Sequence, residues 1–342
     1  MKDEYDVIII GAGPAGLSCA AGLQQTQKTI LILEKNKEIG LKVCAGGLTT
    51  KIESLGLFLD SADTLFSSMK INVPGGTKII SADRPFIGTI DRSKLGRMLS
   101  EKLSSNIKIR TNTEVKKIDE SFIEARGKKI RYKYLIGADG GDSLVRHFLG
   151  LRTKKFLIAL QYIVPKEFQQ LELFFDAALF GSGYAWIFPH KGYTSIGCVQ
   201  NGKSTKSGKL KNNFEKWLMA KNIDIKEAKL ESGIINFDYR GFDFGNKFLI
   251  GDAAGFASGL TGEGIYFGMA SGQEVAKKIA NHAYKCGGIS KILKIKHTHE
   301  RIHNFMLFLV SADEPLLNLC FKLLPPLFNS KKFTKKTLKL FC

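Results

Sequence analysis

At 342 residues, with 44% hydrophobic and 24% charged side chains, the chain is long enough to bury a large core and is not a disordered segment. Its net charge of +19 favours polyanions such as anionic membranes or nucleic acids, whereas six scattered cysteines without a Cys-x-x-Cys pair exclude a disulfide scaffold. No Cys/His cluster has metal-ligand spacing, so no metal is expected, and no run of eighteen uncharged apolar residues suggests a transmembrane helix.

The start, MKDEYDVIIIGAG, enters a strand almost at once, so no signal peptide is expected. With the sparse cysteines, this predicts a reducing, cytoplasmic compartment. YDVIII reads as a buried strand, and GAGPAGLSCAAGLQQ opens a helix of small residues. Between them Gly11, Gly13 and Gly16 form G-x-G-x-x-G. The first glycine permits a tight turn, the second clears the backbone for a pyrophosphate, and the third lets helix and strand pack closely. KTILILEK is the next strand. It ends on Glu34, 23 residues after Gly11, where a carboxylate can accept from both hydroxyls of a ribose. The strand, turn, helix and acid-ended strand together predict a dinucleotide site with the helix N-terminus facing the phosphates. A generic glycine turn with a solvent-facing glutamate is the bland alternative.

From Ile52 the chain reads as a helix and a turn, and MKINVPGGTKIIS as a hairpin about Pro74-Gly75-Gly76. DRSKLGRMLSEKLSS predicts a helix capped by Asp91, with Leu95, Met98, Leu99 and Leu103 on one face. Strands and polar turns then lead to the apolar YLIGADG. Residues from about Leu157 to Val199 are strand-rich and aromatic, which suggests a second sheet. NGKSTKSGKLKNN is a basic loop before a helix around Trp217, and NKFLIGDAAGFASGLTGEGIYFGMASG returns to strand, glycine turn and long helix. The tail places Lys331, Lys332, Lys335, Lys336 and Lys339 among Phe333, Leu338, Leu340 and Phe341, after an apolar stretch broken at Pro315 and Pro325-Pro326. No internal repeat is visible.

The pattern predicts an α/β fold: a discontinuous Rossmann-like nucleotide-binding domain (1–60, 90–155 and 240–285), an inserted antiparallel-sheet substrate domain of α+β character (61–89 and 156–239), and a C-terminal helical, basic segment (286–342).

Three further motifs narrow the nucleotide. TIDRSKLGRML with Arg92, GADGGDSLVR with Gly137, Asp139, Gly140, Ser143 and Arg146, and LIGDAAG with Gly251 and Asp252 resemble the FAD-dependent enzymes built like the aromatic hydroxylases. The resemblance implies FAD, with Asp252 at the ribityl or phosphate groups; as a structural alternative Asp252 is a helix N-cap. A second G-x-G-x-x-G with its own acid-ended strand is absent, so no dedicated NAD(P)H domain is evident.

KVCAGGL, GYAWIFP and GDAAGFASGLTGEGIYFGMASG are similar to the geranylgeranyl reductase family, including archaeal enzymes that saturate the isoprenoid chains of membrane lipids. With the flavin motifs, the resemblance covers residues 5 to about 275. It implies FAD-dependent reduction of prenyl double bonds, with Cys44 catalytic beside flavin and substrate. The cofactor-binding set so implied, the glycine motif and Glu34 included, is Gly11, Gly13, Ala15, Gly16, Glu34, Lys35, Cys44, Ala45, Arg92, Val115, Asp139, Gly140, Gly251, Asp252, Gly262, Gly264 and Ile265. The substrate-binding set is Gly47, Tyr184, Trp186, Phe188 and Pro189. Where the family usually has Asn-Pro-Leu-Thr-Gly, this chain has Ser258-Gly259-Leu260-Thr261-Gly262, and glycine in place of proline is expected to loosen that loop.

An isolated alkene is poorly activated, so hydride to one carbon needs a proton at the other, a held double bond and excluded water. Periodicity alone favours alternating core packing for Tyr184, Trp186 and Phe188; the resemblance reverses this for Tyr184 and Trp186. Gly46 and Gly47 let the backbone beside Cys44 approach a ligand, and Lys42 would favour the thiolate if it faced the same side. A buried small hydrophobe is the structural alternative for Cys44. His190 is expected to be a surface residue of the PHKG turn.

The expected partners are an isoprenoid lipid or prenyl diphosphate as substrate, reduced ferredoxin or NAD(P)H as electron donor, and a peripheral contact with the inner face of the cell membrane through the lysine-rich tail. No zinc finger, RNP or KH pattern is present, so nucleic acid is not expected. The rival activity is an FAD-dependent monooxygenase acting on an apolar substrate, which shares the fold.

Overall fold

The apolar run at the start becomes the strand Glu4–Ile10, buried at nearly every position. Buried on both faces, it sits inside a parallel sheet, where no polar alternation is needed. The structure, a computed structural model, describes residues 3–203, 207–312, 314–327 and 338. The expected lysine-rich tail lies outside the described residues, as does part of the basic loop before Trp217.

Six strands of the first sheet run in the order Asp243–Phe244, Lys247–Leu249, Lys128–Gly137, Glu4–Ile10, Ile30–Leu33 and Ile107–Arg110. All neighbours pair in parallel except the first two. Two more strands, Val115–Ile118 and Phe122–Ala125, extend it as an antiparallel meander. The helix Pro14–Leu23 connects Glu4–Ile10 to Ile30–Leu33, the right-handed βαβ arrangement that the glycine motif requires. Its small residues let the helix Ile265–Ala280 approach closely: a Cβ on Gly272 would lie 2.4 Å from Ala15 O, and one on Gly22 would lie 2.6 Å from Ala276 Cβ. The chain leaves the first sheet after Gly137 and returns to it at Asp243, so the Rossmann-like part is discontinuous.

The second sheet has seven strands in the order Lys229–Asn236, Phe156–Val164, Thr194–Asn201, Tyr184–Pro189, Glu172–Phe174, Ser68–Val73 and Gly76–Ser81. It is antiparallel except where Glu172–Phe174 runs parallel to Ser68–Val73. The expected hairpin turns at Pro74-Gly75, with Val73 opposite Gly76 and Gly75 at φ +89°, the left-handed conformation glycine tolerates. A three-stranded sheet of Gly47–Thr49, Ile87–Thr89 and Thr64–Phe66 joins the segment after Cys44 to the second sheet.

Asp91 caps the helix Arg92–Glu101, accepting from Ser93 N at 2.9 Å and Lys94 N at 3.0 Å. Leu95 is buried, while Met98, Leu99 and Leu103 pack against the core from the same side. The helix expected from Ile52 is a short 3-10 turn, Thr50–Leu55, ended by Gly56 in the left-handed conformation. The helix around Trp217 spans Ser207–Ala220, so it begins inside the stretch expected as loop. Two helices, Gly287–Ala312 and Glu314–Leu327, close the chain against the hairpin 68–81.

Candidate active site

The turn after Glu4–Ile10 begins at Gly11, whose φ of +105° only glycine adopts comfortably. A Cβ there would strike Ala138 O at 2.3 Å, so the crossing of two sheet ends also demands glycine. Gly13 differs: a Cβ would meet no protein atom within 4 Å, and the open space lies in front of the helix N-terminus. Gly16 faces the other way, its Cβ position 2.1 Å from Gly11 O, so it serves the packing of helix on turn and does not line the cavity.

Glu34 is 9% exposed and both of its carboxylate oxygens already accept backbone protons. Oε2 accepts from Ala12 N at 3.0 Å and Oε1 from Asn36 N at 2.9 Å. These bonds fix the carboxylate at the cavity wall with one lone pair on each oxygen left for a ligand.

One cavity of about 1230 Å³ holds nearly all the sequence candidates. Gly11, Gly13, Ala15, Glu34, Lys35, Arg92, Val115, Asp139, Gly140, Gly251 and Asp252 line its polar half. Cys44, Ala45, Gly47, Tyr184, Trp186, Phe188, Gly262, Gly264 and Ile265 line the rest. Gly16 and Pro189 stand off it. The volume exceeds the roughly 300–1,000 Å³ of a site for one drug-sized molecule, leaving room for a dinucleotide and a second ligand. The open space at Gly13 and the buried Nε of Arg92, which lacks a partner among the described residues, are the features expected of a cradle for an anionic cofactor. The residues fit FAD.

Asp139 accepts from Ser143 Oγ at 2.6 Å and from Leu144 N at 2.7 Å, so its carboxylate also closes the N-terminus of the helix Leu144–Phe148. Burial pushes its carboxyl up, against the pull of these hydrogen bonds. Asp252 is not an N-cap: that position belongs to Ile250, and the carboxylate lies 2.7 Å from Lys42 Nζ. Lys42 is thereby committed to Asp252, and the expected support of a Cys44 thiolate by Lys42 is replaced by this ion pair.

Cys44 is half-buried, and its Sγ accepts from Gly46 N at 3.4 Å. Beyond it a row of rings follows the wall: Phe188, Trp186, Tyr184, Phe175 and Phe321, with successive centroids 5.4–6.4 Å apart. Alternate residues of Tyr184–Pro189 face the cavity, whereas Ala185 and Ile187 join the core beneath. Tyr184 OH donates to Thr261 O at 2.5 Å. Burial, with Glu263 and Cys44 nearby, pushes its phenol up, so it stays protonated.

His190 is not on the surface. It is 4% exposed, stacked on Tyr193 with centroids 4.5 Å apart, and its Nε2 lies 3.0 Å from Ala45 O. Gly46 makes this possible, since a Cβ there would come 2.6 Å from His190 Cε1. Burial pushes the imidazole down, so it is neutral and braces the Cys44 segment from behind.

The family resemblance sets Glu263, between Gly262 and Gly264, in the loop against the isoalloxazine but assigns its carboxylate no role. It lines the cavity, accepts from Thr49 Oγ1 at 2.9 Å and pairs with Lys51 Nζ at 3.4 Å. Burial pushes its carboxyl up, against Lys51 and Thr49. That loop is not loose: Ser258 Oγ accepts from Leu260 N at 3.2 Å and Thr261 N at 3.0 Å, and it lies 2.9 Å from His299 Nδ1. Gly259 presses on Phe237, whose ring a Cβ would approach to 2.7 Å.

The model of a family described as an FAD binding domain matches residues 4–174. The digeranylgeranylglycerophospholipid reductase of Methanosarcina acetivorans is 29% identical over 338 residues, covering 88% of this chain and 81% of the relative. Among solved structures, a geranylgeranyl bacteriochlorophyll reductase-like protein of Thermoplasma acidophilum superposes with a TM-score of 0.79 at 20% identity, covering 98% of this chain and 96% of its own. The p-nitrophenol 4-monooxygenase of Pseudomonas putida superposes with a TM-score of 0.73 at 16% identity, covering 100% and 98%. Both structures establish the fold alone.

Proposed function

This chain belongs to the FAD-binding domain family and is of the FAD-dependent oxidoreductase type, and on that premise we propose that it saturates isoprenoid double bonds of a lipid or prenyl substrate. The observation that carries the reading is the continuity of one cavity from the glycine turn, past Cys44, to an apolar end at Ile80, Met306 and Phe321. A cofactor at the glycine end leaves the aromatic end for a long hydrocarbon, and the name of the Methanosarcina relative supports a prenyl lipid.

When bound, FAD in its reduced form supplies the hydride for one alkene carbon. The chain's own residues do the rest. Tyr184, Trp186 and Phe188 hold the hydrocarbon and exclude water, while Gly47 gives it room beside Phe188, whose ring a Cβ would approach to 2.9 Å. Cys44 carries a proton on Sγ for the second carbon. The double bond gains one hydride and one proton, and the thiolate left behind is reprotonated from solvent. Glu34 and Asp139 would orient the nucleotide at the far end, and Asp252, kept in its ion pair with Lys42, would hold the ribityl or phosphate portion through the oxygen Lys42 leaves open.

No helix among the described residues is long and apolar enough to cross a membrane. The two C-terminal helices nevertheless expose Phe305 (58%), Phe308 (65%), Leu319 (53%) and Leu323 (61%) near the apolar end of the cavity. Such a face suits peripheral contact with the bilayer that would supply the substrate.

Anaerobic turnover tests the reaction. With reduced FAD, a geranylgeranyl lipid should gain two hydrogens per double bond with no oxygen present. Reaction only with oxygen, and a hydroxylated product, would instead establish the monooxygenase whose fold this chain shares.

A further inference from the structure

The second sheet carries a hydrogen-bond relay that begins at the aromatic wall and ends at the cysteine segment. Trp186 Nε1 lies 3.0 Å from Ser195 Oγ, Ser195 Oγ lies 3.1 Å from Gln161 Oε1, and Gln161 Nε2 lies 3.4 Å from Cys44 O and 3.0 Å from Glu231 Oε2. An indole nitrogen only donates, so the Ser195 oxygen must accept and its own proton must go to Gln161 Oε1. That assignment fixes the orientation of the amide, leaving both Nε2 protons for Cys44 O and Glu231. Lys229 Nζ, 2.8 Å from the other oxygen of Glu231, holds that carboxylate in place.

The sheet register makes the relay possible. Gln161 stands opposite Glu231 on one side and Gly197 on the other, and Gly197 stands opposite Trp186. A Cβ on Gly197 would lie 2.2 Å from Trp186 Cζ2, so only glycine lets the indole lie across to Ser195. Gln161 is 2% exposed although it borders the cavity, and every one of its polar atoms is used. Both amide protons are committed, so it has no donor left for a ligand, and removing it would leave buried partners unsatisfied.

We infer that Gln161 is a positioning residue that sets the Cys44 segment against the Trp186 wall, and so the gap in which a substrate double bond is held. The inference rests on the reading of that gap as the reductase site, but the relay itself is measurable without turnover. Cys44 and Trp186 belong to different elements, and the amide joins them, touching Cys44 O directly and Trp186 through Ser195. A small displacement of either group from its reacting partner is costly, which is why such a link is worth burying.

The test is alkylation of Cys44 by iodoacetamide in the isolated, FAD-loaded protein and again after FAD removal, resolved by peptide mass spectrometry. Gln161→Leu should raise the Cys44 rate roughly fivefold, the equivalent of about one net hydrogen bond. Ser195→Ala, which does not touch Cys44, should raise it by a smaller factor, because the freed amide can turn. The double variant should react no faster than Gln161→Leu alone. Gln161→Glu keeps an acceptor for Ser195 but loses the donor to Cys44 O and sets a second carboxyl beside Glu231, so it should speed alkylation. Thermal unfolding establishes that each variant is folded; if Gln161→Leu is not, the glutamate and serine variants carry the test. Wild-type Cys44 rates in folded Gln161→Glu and Ser195→Ala, or fully additive effects in the double variant, would overturn the inference. Failure of alkene reduction in the native protein would not alter these rates, so the two readings fail separately.

Discussion

Lys42 Nζ lies 2.7 Å from the carboxylate of Asp252, 210 residues away, and ties the segment before Cys44 to the Gly251-Asp252 turn across the cavity. The lysine is about half exposed, so water screens the pair and its contribution to stability is at most about 1 kcal/mol. Lys42→Met should therefore shift the urea midpoint little and leave Cys44 alkylation as in the native protein. Faster or slower alkylation would mean that Lys42 acts on the thiol after all.

Gly13→Val isolates the cofactor from the fold. Gly13 has φ −75° and ψ 175°, which valine adopts readily, and no protein atom lies near its Cβ position. The variant should keep its unfolding temperature as apoprotein and lose FAD, read by chromatography of the nucleotide released on denaturation. Retention of FAD would place the pyrophosphate elsewhere.

Cys44→Ser should keep FAD and the fold but slow alkene reduction far more than flavin reduction by an artificial donor. General acids contribute roughly 10²–10⁴-fold, so a loss of about a hundredfold or more in the alkene half-reaction is expected. Stopped-flow spectra of both half-reactions measure it. An unchanged alkene rate would remove Cys44 from the chemistry, and loss of FAD would make it structural.

Glu263 should show itself in a pH profile. Burial holds its proton to higher pH than on a surface carboxylate, so its neutral form persists as pH rises above the ordinary value and is lost at higher pH. If that proton supports alkene reduction, the single-turnover rate falls as pH rises through this range. In Glu263→Gln that limb should be absent while FAD remains bound. A profile identical to the native one would leave Glu263 with only its ties to Thr49 and Lys51.

His303 predicts an acid limb in stability. Burial holds its imidazole down to about 4, with Glu300 raising it and Lys155 and Lys296 lowering it, while Ser182 Oγ lies 3.4 Å from Nε2. The unfolded chain takes up this proton near pH 6.5, well before the folded one does. The stabilisation is complete above pH 6.5 and falls by about 3 kcal/mol as pH drops to 4. Urea unfolding of His303→Gln across that range should show a flatter acid limb; an equal slope would assign the loss to other groups.

The sequence by itself determined the parts of this protein whose geometry is local. A buried strand, a turn through Gly11 and a helix of small residues follow from φ, sterics and the spacing of consecutive residues, so the glycine-lined end of the cavity was legible at Gly11, Gly13 and Glu34. The Pro74-Gly75 hairpin and the Asp91 cap were legible for the same reason. Tertiary structure alone decided what faces what. His190 looked like a turn residue because PHKG carries no sign that Gly46, 144 positions earlier, leaves a gap for its ring. Gly259 looked loosening until Phe237 filled the space beside it, and Lys42 looked free to serve Cys44 until Asp252 arrived from the far end of the chain. Hydrogen bonds and ion pairs act over a few ångströms of space, whatever the distance along the chain. Only the folded sheets bring Gln161, Glu263 and Cys44 within that reach of their partners.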